Sequence, residues 1–442
     1  MQSTNDLTKG NVRSTLIKYA IPMILTSVMQ SLYGMVDMII VGQFVGGDAV
    51  SAINNGSLIM TFLSAIAIGF TVGGNIVIGQ NFGAKNGEEA KKASGTLFAL
   101  TMLAGIICSI VFYIFSRNLL VMLGAPSLED ATTYLKICSF GIPFIFSYNA
   151  LNATLRAVGN SKKPFHFIAS AMVLNIILDI IFVAVLDLAV FGVALATMIS
   201  QFFSFILAFI YVYKNRETTG LTKKYFKLDK NYIKLITKYG FPLALQSTVG
   251  SISWLVVAYL LNKYGTDVSA GNGISNKIKE FCQLFITSIS SATATMAAQN
   301  IGAKQFDRAK QAMKECMKIT LSLALLFIII CEIFAPMLVS IFINDSVVAN
   351  YAVANLRIEI IAQLFYAGFY SFNVLANGSG HTLFVMVNSF LNCIVVRLIL
   401  AIILESTIGL TGIYLACLIA PSVSVPVGYM FYKSNKWKHS LK

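Results

Sequence analysis

Apolar residues fall in twelve long windows along the chain, at 16–41, 49–78, 94–116, 132–155, 164–186, 189–213, 235–261, 268–297, 316–343, 350–376, 382–404 and 408–432, with short polar connections between them. A helix needs ~20 mostly apolar residues to cross the hydrocarbon core of a bilayer, and each window is long enough. A membrane β-barrel would instead show ~10-residue segments of alternating polarity. The pattern predicts an all-α polytopic membrane protein with twelve transmembrane helices.

The connections alternate in charge. Lys9, Arg13 and Lys18 precede the first window, Lys85, Lys91 and Lys92 follow the second, and Arg156, Lys162 and Lys163 follow the fourth. Eight Lys and Arg residues crowd 214–238, five more follow the eighth window, and Lys433, Lys436, Lys438 and Lys442 form the tail. The intervening loops carry Asp48, Glu129, Asp130, Asp187, Asp267, Asp345 and Glu405 and little basic charge. Lys and Arg collect in cytoplasmic loops, so both termini are expected in the cytoplasm of a multi-pass cell-membrane protein. No cleavable leader is expected, because residues 1–15 are polar and the apolar run from Leu16 is too long for a signal core.

The pattern repeats. Residues 79–93 (GQNFGAKNGEEAKKA) align with 298–312 (AQNIGAKQFDRAKQA) at an offset of 219, with 8 of 15 positions identical. Lys18-Tyr-Ala-Ile-Pro22 matches Lys238-Tyr-Gly-Phe-Pro242 at 220, and Gly159-Asn-Ser161 matches Gly378-Ser-Gly380 at 219. Two six-helix lobes are therefore expected, 1–213 and 235–442, joined by a basic cytoplasmic linker at 214–234. Six is even, so the lobes share one orientation and form a parallel pseudo-twofold repeat, an arrangement that places substrate sites between the repeats.

Composition narrows the reading. The chain of 442 residues is 57% hydrophobic and 12% charged, with a mean hydropathy of +0.75. Soluble domains carry ~25% charge, which excludes an ordinary cytosolic enzyme. The net charge of +14 is the loop bias already described, so no nucleic-acid partner is expected. The seven cysteines form no C-x-x-C pair, and no Walker A motif is present. The expectation is no cofactor, no enzymatic activity and, if something is pumped, an ion gradient as the driving force.

Ionisable residues inside spans are costly, and each is a candidate for function. Asp37 lies late in the first window and Asp179 in the fifth; at ~1.5 Å per residue they sit ~28 Å and ~24 Å from the basic ends of their helices. Asn175 and Asp179 share one helix face at i, i+4. Thr197, counted from the other side, reaches a comparable depth. The bland alternative is that each Asp caps a helix end or pairs with a base. The other reading is an oxygen-rich pocket whose paired carboxylates titrate near neutral pH or ligate a hard cation. In the second lobe, Glu280 and Arg397 form a candidate charge site, read either as a buried pair or as a carboxylate that attracts substrate. Arg357 and Glu359 are expected at the outer mouth in a structural role.

These residues resemble the multidrug and toxic compound extrusion (MATE) transporters of the wider flippase-like superfamily. The likeness is carried by Ile21-Pro22 with Val36-Asp37, the Gly79-Gln-Asn-Phe-Gly-Ala84 motif and its echo, Leu155-Arg156-Ala-Val-Gly159-Asn160 with Pro164, and Asn175 with Asp179. It spans nearly the whole chain. The resemblance implies export of amphipathic, often cationic drugs in exchange for H⁺ or Na⁺. It also implies a cation site at Asp37, Asn149, Asn152, Asn175, Asp179 and Thr197, with Tyr33 an aromatic neighbour one turn from Asp37. Na⁺, if used, would fall at Asp37, Asn175, Asp179 and Thr197. The seventh window carries no acidic residue, which departs from one branch of the family. The expected partners are small organic cations and the lipid bilayer, with the chain a monomer. The alternative is a flippase for a lipid-linked glycan precursor, whose cavity should hold basic residues for a pyrophosphate.

Overall fold

The computed structural model describes residues 6–439 apart from 46, 123, 126 and 223, and for 34, 35, 37–39, 41, 42 and 47–51 it describes the backbone alone. The side chain of Asp37 thus lies outside the described residues. Every regular element among those described is helical. In order these are α1 (Val12–Phe44), α2 (Gly47–Gly83), α3 (Gly87–Met122), α4 (Leu128–Ala157), α5 (Lys162–Asp179) with a π-helical turn (Ile180–Val185), α6 (Ala189–Lys214) and the single turn α7 (Arg216–Thr219). There follow α8 (Lys230–Asn262), α9 (Thr266–Gly302), α10 (Phe306–Ser340), α11 (Ser346–Ile360), α12 (Ala362–Ser379), α13 (Thr382–Phe390) with a second π-helical turn (Leu391–Val396), α14 (Arg397–Ile408) and α15 (Leu410–Lys433).

Among the described residues nine helical segments are long and apolar enough to cross a membrane, and α11 with α12, bent by 40° at their break, makes a tenth. α1 and α4, of 33 and 30 residues, fill the first and fourth windows. The protein is an all-α polytopic membrane protein. The reason is solvent: a lipid core offers backbone N–H and C=O groups no partner but each other.

Two compact units emerge, one of residues 1–6 and Ile21–Ala244, the other of Leu7–Ala20 and Leu245–Lys442. Each repeat's first helix thus divides between the units: α1 up to Ala20 belongs with the second, and α8 up to Ala244 with the first. Small residues make the second arrangement work. A Cβ on Gly69 would lie 2.6 Å from the Ala244 nitrogen, and one on Gly73 2.6 Å from that of Gly240. Gly69-xxx-Gly73 on α2 therefore meets Gly240-xxx-Ala244 on α8, the close small-xxx-small crossing that lipid-embedded helices favour. In the second unit the segment before α1 is tied down instead by hydrogen bonds. The Leu7 N–H donates to Gln299 Oε1 at 3.2 Å, and Arg308 donates to the carbonyls of Leu7 (3.3 Å), Lys9 (2.5 Å) and Gly10 (2.6 Å).

The linker is docked rather than loose. A Cβ on Gly95 would lie 2.1 Å from the Tyr225 carbonyl oxygen, and Thr96 Oγ1 donates to the Lys227 carbonyl at 3.1 Å. The Tyr225 and Tyr232 hydroxyls donate to Glu88 and Glu89. The Tyr225 hydroxyl, and after it Glu88, holds the exposed Lys224 ammonium above its ordinary pKa.

The repeated motif ends α2 and α9 in matching Schellman turns. Lys85 N–H reaches Phe82 O (3.0 Å) and Asn86 N–H reaches Asn81 O (2.9 Å); Lys304 and Gln305 repeat the pair on Ile301 and Asn300. The left-handed residue is the lysine in both, at φ 58°. The motif's glycines, which the sequence suggests for that role, remain helical. At the third repeated motif the left-handed residues are Gly159 (φ 84°) and Gly380 (φ 86°), so the structural match runs at 221 rather than 219. Gly378 instead packs on α9, where a Cβ would lie 2.8 Å from that of Ala297.

Candidate functional site

In the first unit α5 is built inside out. Its buried stripe is Pro164, Phe167, Ala171, Met172, Asn175 and Asp179, while Val173 and Ile177 on the other side are about half exposed. In lipid an apolar outer face costs nothing, so the polar residues turn inward. Asn175 and Asp179 are both completely buried. α6, which packs on α5, buries a stripe of small residues, Ala196, Ser200, Ser204 and Ala208, and carries half-buried Thr197.

Helices α4, α5 and α6 of this unit carry unmet hydrogen-bonding capacity. Both amide atoms of Asn175, the Thr197 and Ser200 hydroxyls and Asn152 Oδ1 are buried with no hydrogen-bond partner among the described residues. Native proteins rarely leave such atoms orphaned, and several together fit a place where an ion or ligand supplies the missing partner. Oxygens of this kind suit a proton or a hard cation such as Na⁺. Among the described residues no three His, Cys, Asp or Glu side chains group as a metal site, so the amide and hydroxyl oxygens would carry much of the coordination.

α1 joins the same core. Val36 packs on the cluster formed by Ile40, Tyr134, Cys138, Val183, Val190, Val193 and Ala194. Val36 and Ile40 flank Asp37 in sequence, and Val183 lies one turn past Asp179. Tyr33 is half-buried in α1 one turn before Asp37. Asn152 is 2% exposed, whereas Asn149 is half-buried and donates Nδ2 to the carbonyl of Ile145 at 2.9 Å in its own helix. An aromatic series then runs along α6 toward Lys214. Phe202 meets Phe144 at 4.8 Å between ring centroids, Phe144 meets Phe205 at 5.6 Å, Phe205 meets Phe209 at 5.8 Å, and Phe209 stacks on Tyr213 at 6.1 Å.

The second unit corrects the charge site expected at Glu280 and Arg397. Glu280 is exposed and sits 3.5 Å from Lys277, its neighbour one turn back. Arg397 is 1% exposed and pairs with no acid among the described residues; it donates to Ser253 Oγ at 3.3 Å and to the Tyr366 hydroxyl at 2.7 Å. Glu359, expected at the outer mouth, is buried and paired with buried Lys279 at 2.5 Å. Asn355 binds them together, accepting from Lys279 Nζ at 2.9 Å and from Ser275 at 2.5 Å and donating to Glu359 at 3.0 Å. Arg357, two residues earlier on α11, points out and lies 3.8 Å from Glu332. Sequence reasoning missed this network although a signal was present. Ser275 with Lys279, and Asn355 with Glu359, are both i, i+4 polar pairs inside apolar windows.

A polytopic helical fold with polar residues buried among its helices is the architecture that membrane transporters share. The MatE family model matches the chain twice, at 22–181 and at 242–403, and the protein belongs to that family. The two matches start 220 residues apart, as the internal repeat requires. Over 441 residues the chain is 28% identical to the probable multidrug resistance protein YoeA of Bacillus subtilis (strain 168), covering 97% of this chain and 95% of that one. It is 25% identical over 421 residues to the multidrug export protein MepA of Staphylococcus saprophyticus, covering 94% and 92%. A solved MOP superfamily transporter from Pyrococcus furiosus superposes with a TM-score of 0.92 at 21% identity over 98% of each chain. A MATE transporter crystallised in a bent conformation gives 0.93 at 21% identity over 98% of this chain and 97% of that one. At that identity the two structures speak for the fold.

Proposed function

We propose that this protein is a secondary active antiporter of the cell membrane that exports amphipathic organic cations in exchange for H⁺ or Na⁺ by alternating access. The observation that carries the reading is the fully buried Asn175–Asp179 face of α5, together with the orphaned hydroxyls of Thr197 and Ser200 on α6, the helix packed on it. A buried carboxylate among unmet oxygens can exchange one positive charge for another. Relatives named for multidrug resistance and export support the substrate class. The phenylalanines along α6 offer apolar surface for the rest of an amphipathic molecule.

In the cycle, Asp37 and Asp179 take up H⁺ or Na⁺ when the site opens outward. Neutralising a carboxylate removes an attraction of about 4 kcal/mol for a cation 4 Å away at an effective dielectric of ~20, enough to release a bound drug. The lobes then rock, the ion leaves to the cytoplasm, and the restored charge draws in the next drug. Both repeats lie in one chain, so a monomer suffices.

The test is ethidium efflux from cells expressing the protein, with the pH gradient and the Na⁺ gradient collapsed separately. One collapse should stop efflux and so name the coupling ion. Asp37→Asn and Asp179→Asn should each reduce efflux to background while the protein still reaches the membrane. Normal efflux by both variants would falsify the reading.

A further inference from the structure

Arg397 poses a charge problem that the export cycle does not use. It opens α14, directly after the π-helical turn 391–396, and is 1% exposed. A guanidinium has five N–H donors, and two hydroxyls, of Ser253 and Tyr366, are the acceptors it meets. Its Nε has no hydrogen-bond partner among the described residues. The face of Trp254 covers it, with the guanidinium carbon 4.6 Å from the ring centroid. The Lys279 ammonium lies 5.9 Å from the same ring, so one indole is shared by two buried cations.

The acids of the unit do not balance this pair. Glu359 is committed to Lys279 and Asn355. Glu280, Glu315, Glu332 and Glu405 pair with Lys277, Lys318, Arg357 and Lys263, Asp345 caps α11, and Asp267 and Asp307 are exposed in the first turns of α9 and α10. Two cations and one carboxylate leave a net positive charge in a low-dielectric interior, and an uncompensated buried charge costs several kcal/mol. A chain keeps such a group where something else supplies the counter-charge. Arg397 also directly follows a π-helical turn, a feature common at functional sites.

We propose that the second unit carries an anion-binding site, in which Arg397 takes a phosphate or carboxylate group through its free Nε–H, and Trp254 and Tyr366 hold an adjoining apolar chain or ring. Trp254, whose ring covers the guanidinium, is 37% exposed and Tyr366 is half-buried, so a ligand reaches Arg397 by displacing the indole. The ligand class is an amphipathic anion, either an anionic lipid headgroup or a soluble organic phosphate or carboxylate. The site goes beyond the cation exporter, since it selects the opposite charge.

The chain's two tryptophans, Trp254 and Trp437, make the site readable without transport. Intrinsic fluorescence would be followed in phosphatidylcholine nanodiscs, with Trp254→Phe as the blank for Trp437. Octyl phosphate should change Trp254 emission saturably, and octyltrimethylammonium should not. Arg397→Gln should weaken octyl phosphate about tenfold, the loss of one charge-assisted hydrogen bond. Arg397→Lys, which keeps the charge but lacks the Nε–H donor, should weaken it as well; this variant serves where Arg397→Gln does not fold. Repeating the titration with phosphatidylglycerol in the disc separates the sources. If the lipid is the occupant, Trp254 emission shifts before any probe is added and octyl phosphate titrates no further; if the ligand is soluble, it titrates alike in both discs. Absence of any saturable, anion-selective change in either disc, or unchanged affinity in the folded variants, overturns the proposal. The readout needs no efflux, so failure of the exporter reading leaves it standing.

Discussion

Two residues apart on one helix, Arg357 and Glu359 have opposite fates: the first is half exposed beside Glu332, the second sealed against Lys279. Two residues of helix turn the side chain through ~200°, so neighbours in sequence need not share an environment. The burial of Glu359 is tolerable only with its partner. Lys279→Met should therefore destabilise the protein by about 3–5 kcal/mol, because it strands a buried carboxylate. Removing both charges with Lys279→Met and Glu359→Leu together should restore much of the loss, as replacing a whole buried pair by apolar residues is often neutral. Thermal unfolding of the purified protein in detergent checks both; an intact midpoint in the single variant would show that the pair carries no such burden. The site residues were partly legible at this scale. Asn175 and Asp179 announce themselves as polar residues at helical spacing in an apolar run. The partner of Glu359 was not legible, because spacing along one helix does not say which neighbouring helix a side chain meets.

At the scale of elements, the ends of α2 and α9 show how a repeated sequence produces a repeated shape. Both turns satisfy their last carbonyls through the same pair of backbone bonds, and both place a lysine in the left-handed region. A side chain there costs about 1 kcal/mol relative to glycine. Lys85→Gly and Lys304→Gly should each raise thermal stability by about that amount. Unchanged or lowered unfolding midpoints would mean that the exposed lysines make contacts that outweigh the strain. Sequence placed these turns correctly but assigned the strained position to glycine, since composition alone says that glycine tolerates it best. The backbone register decided otherwise: the helix runs one turn position further, through the glycine, before it ends. The same limit explains the third repeated motif, where the glycines equivalent in structure are Gly159 and Gly380 rather than Gly159 and Gly378.

At the scale of the whole molecule, the alternation of basic loops is the only signal of orientation, and it predicts a labelling pattern. A membrane-impermeant maleimide should reach a cysteine at Lys224→Cys from the cytoplasmic side alone, and one at Lys263→Cys from outside alone. Labelling of both from one side would refute the assigned topology and with it the direction of transport. The sequence by itself determined the helical class and the twofold repeat, because lipid forces every apolar stretch of sufficient length into a helix and a repeated pattern into a repeated fold. Only the tertiary structure decided which charges meet. Hydropathy records how far a residue lies along its helix, but not its rotation toward one neighbour or another. Packing against α11 sends Lys279 to Glu359, and packing against α8 leaves Arg397 with hydroxyls and an indole instead of a carboxylate.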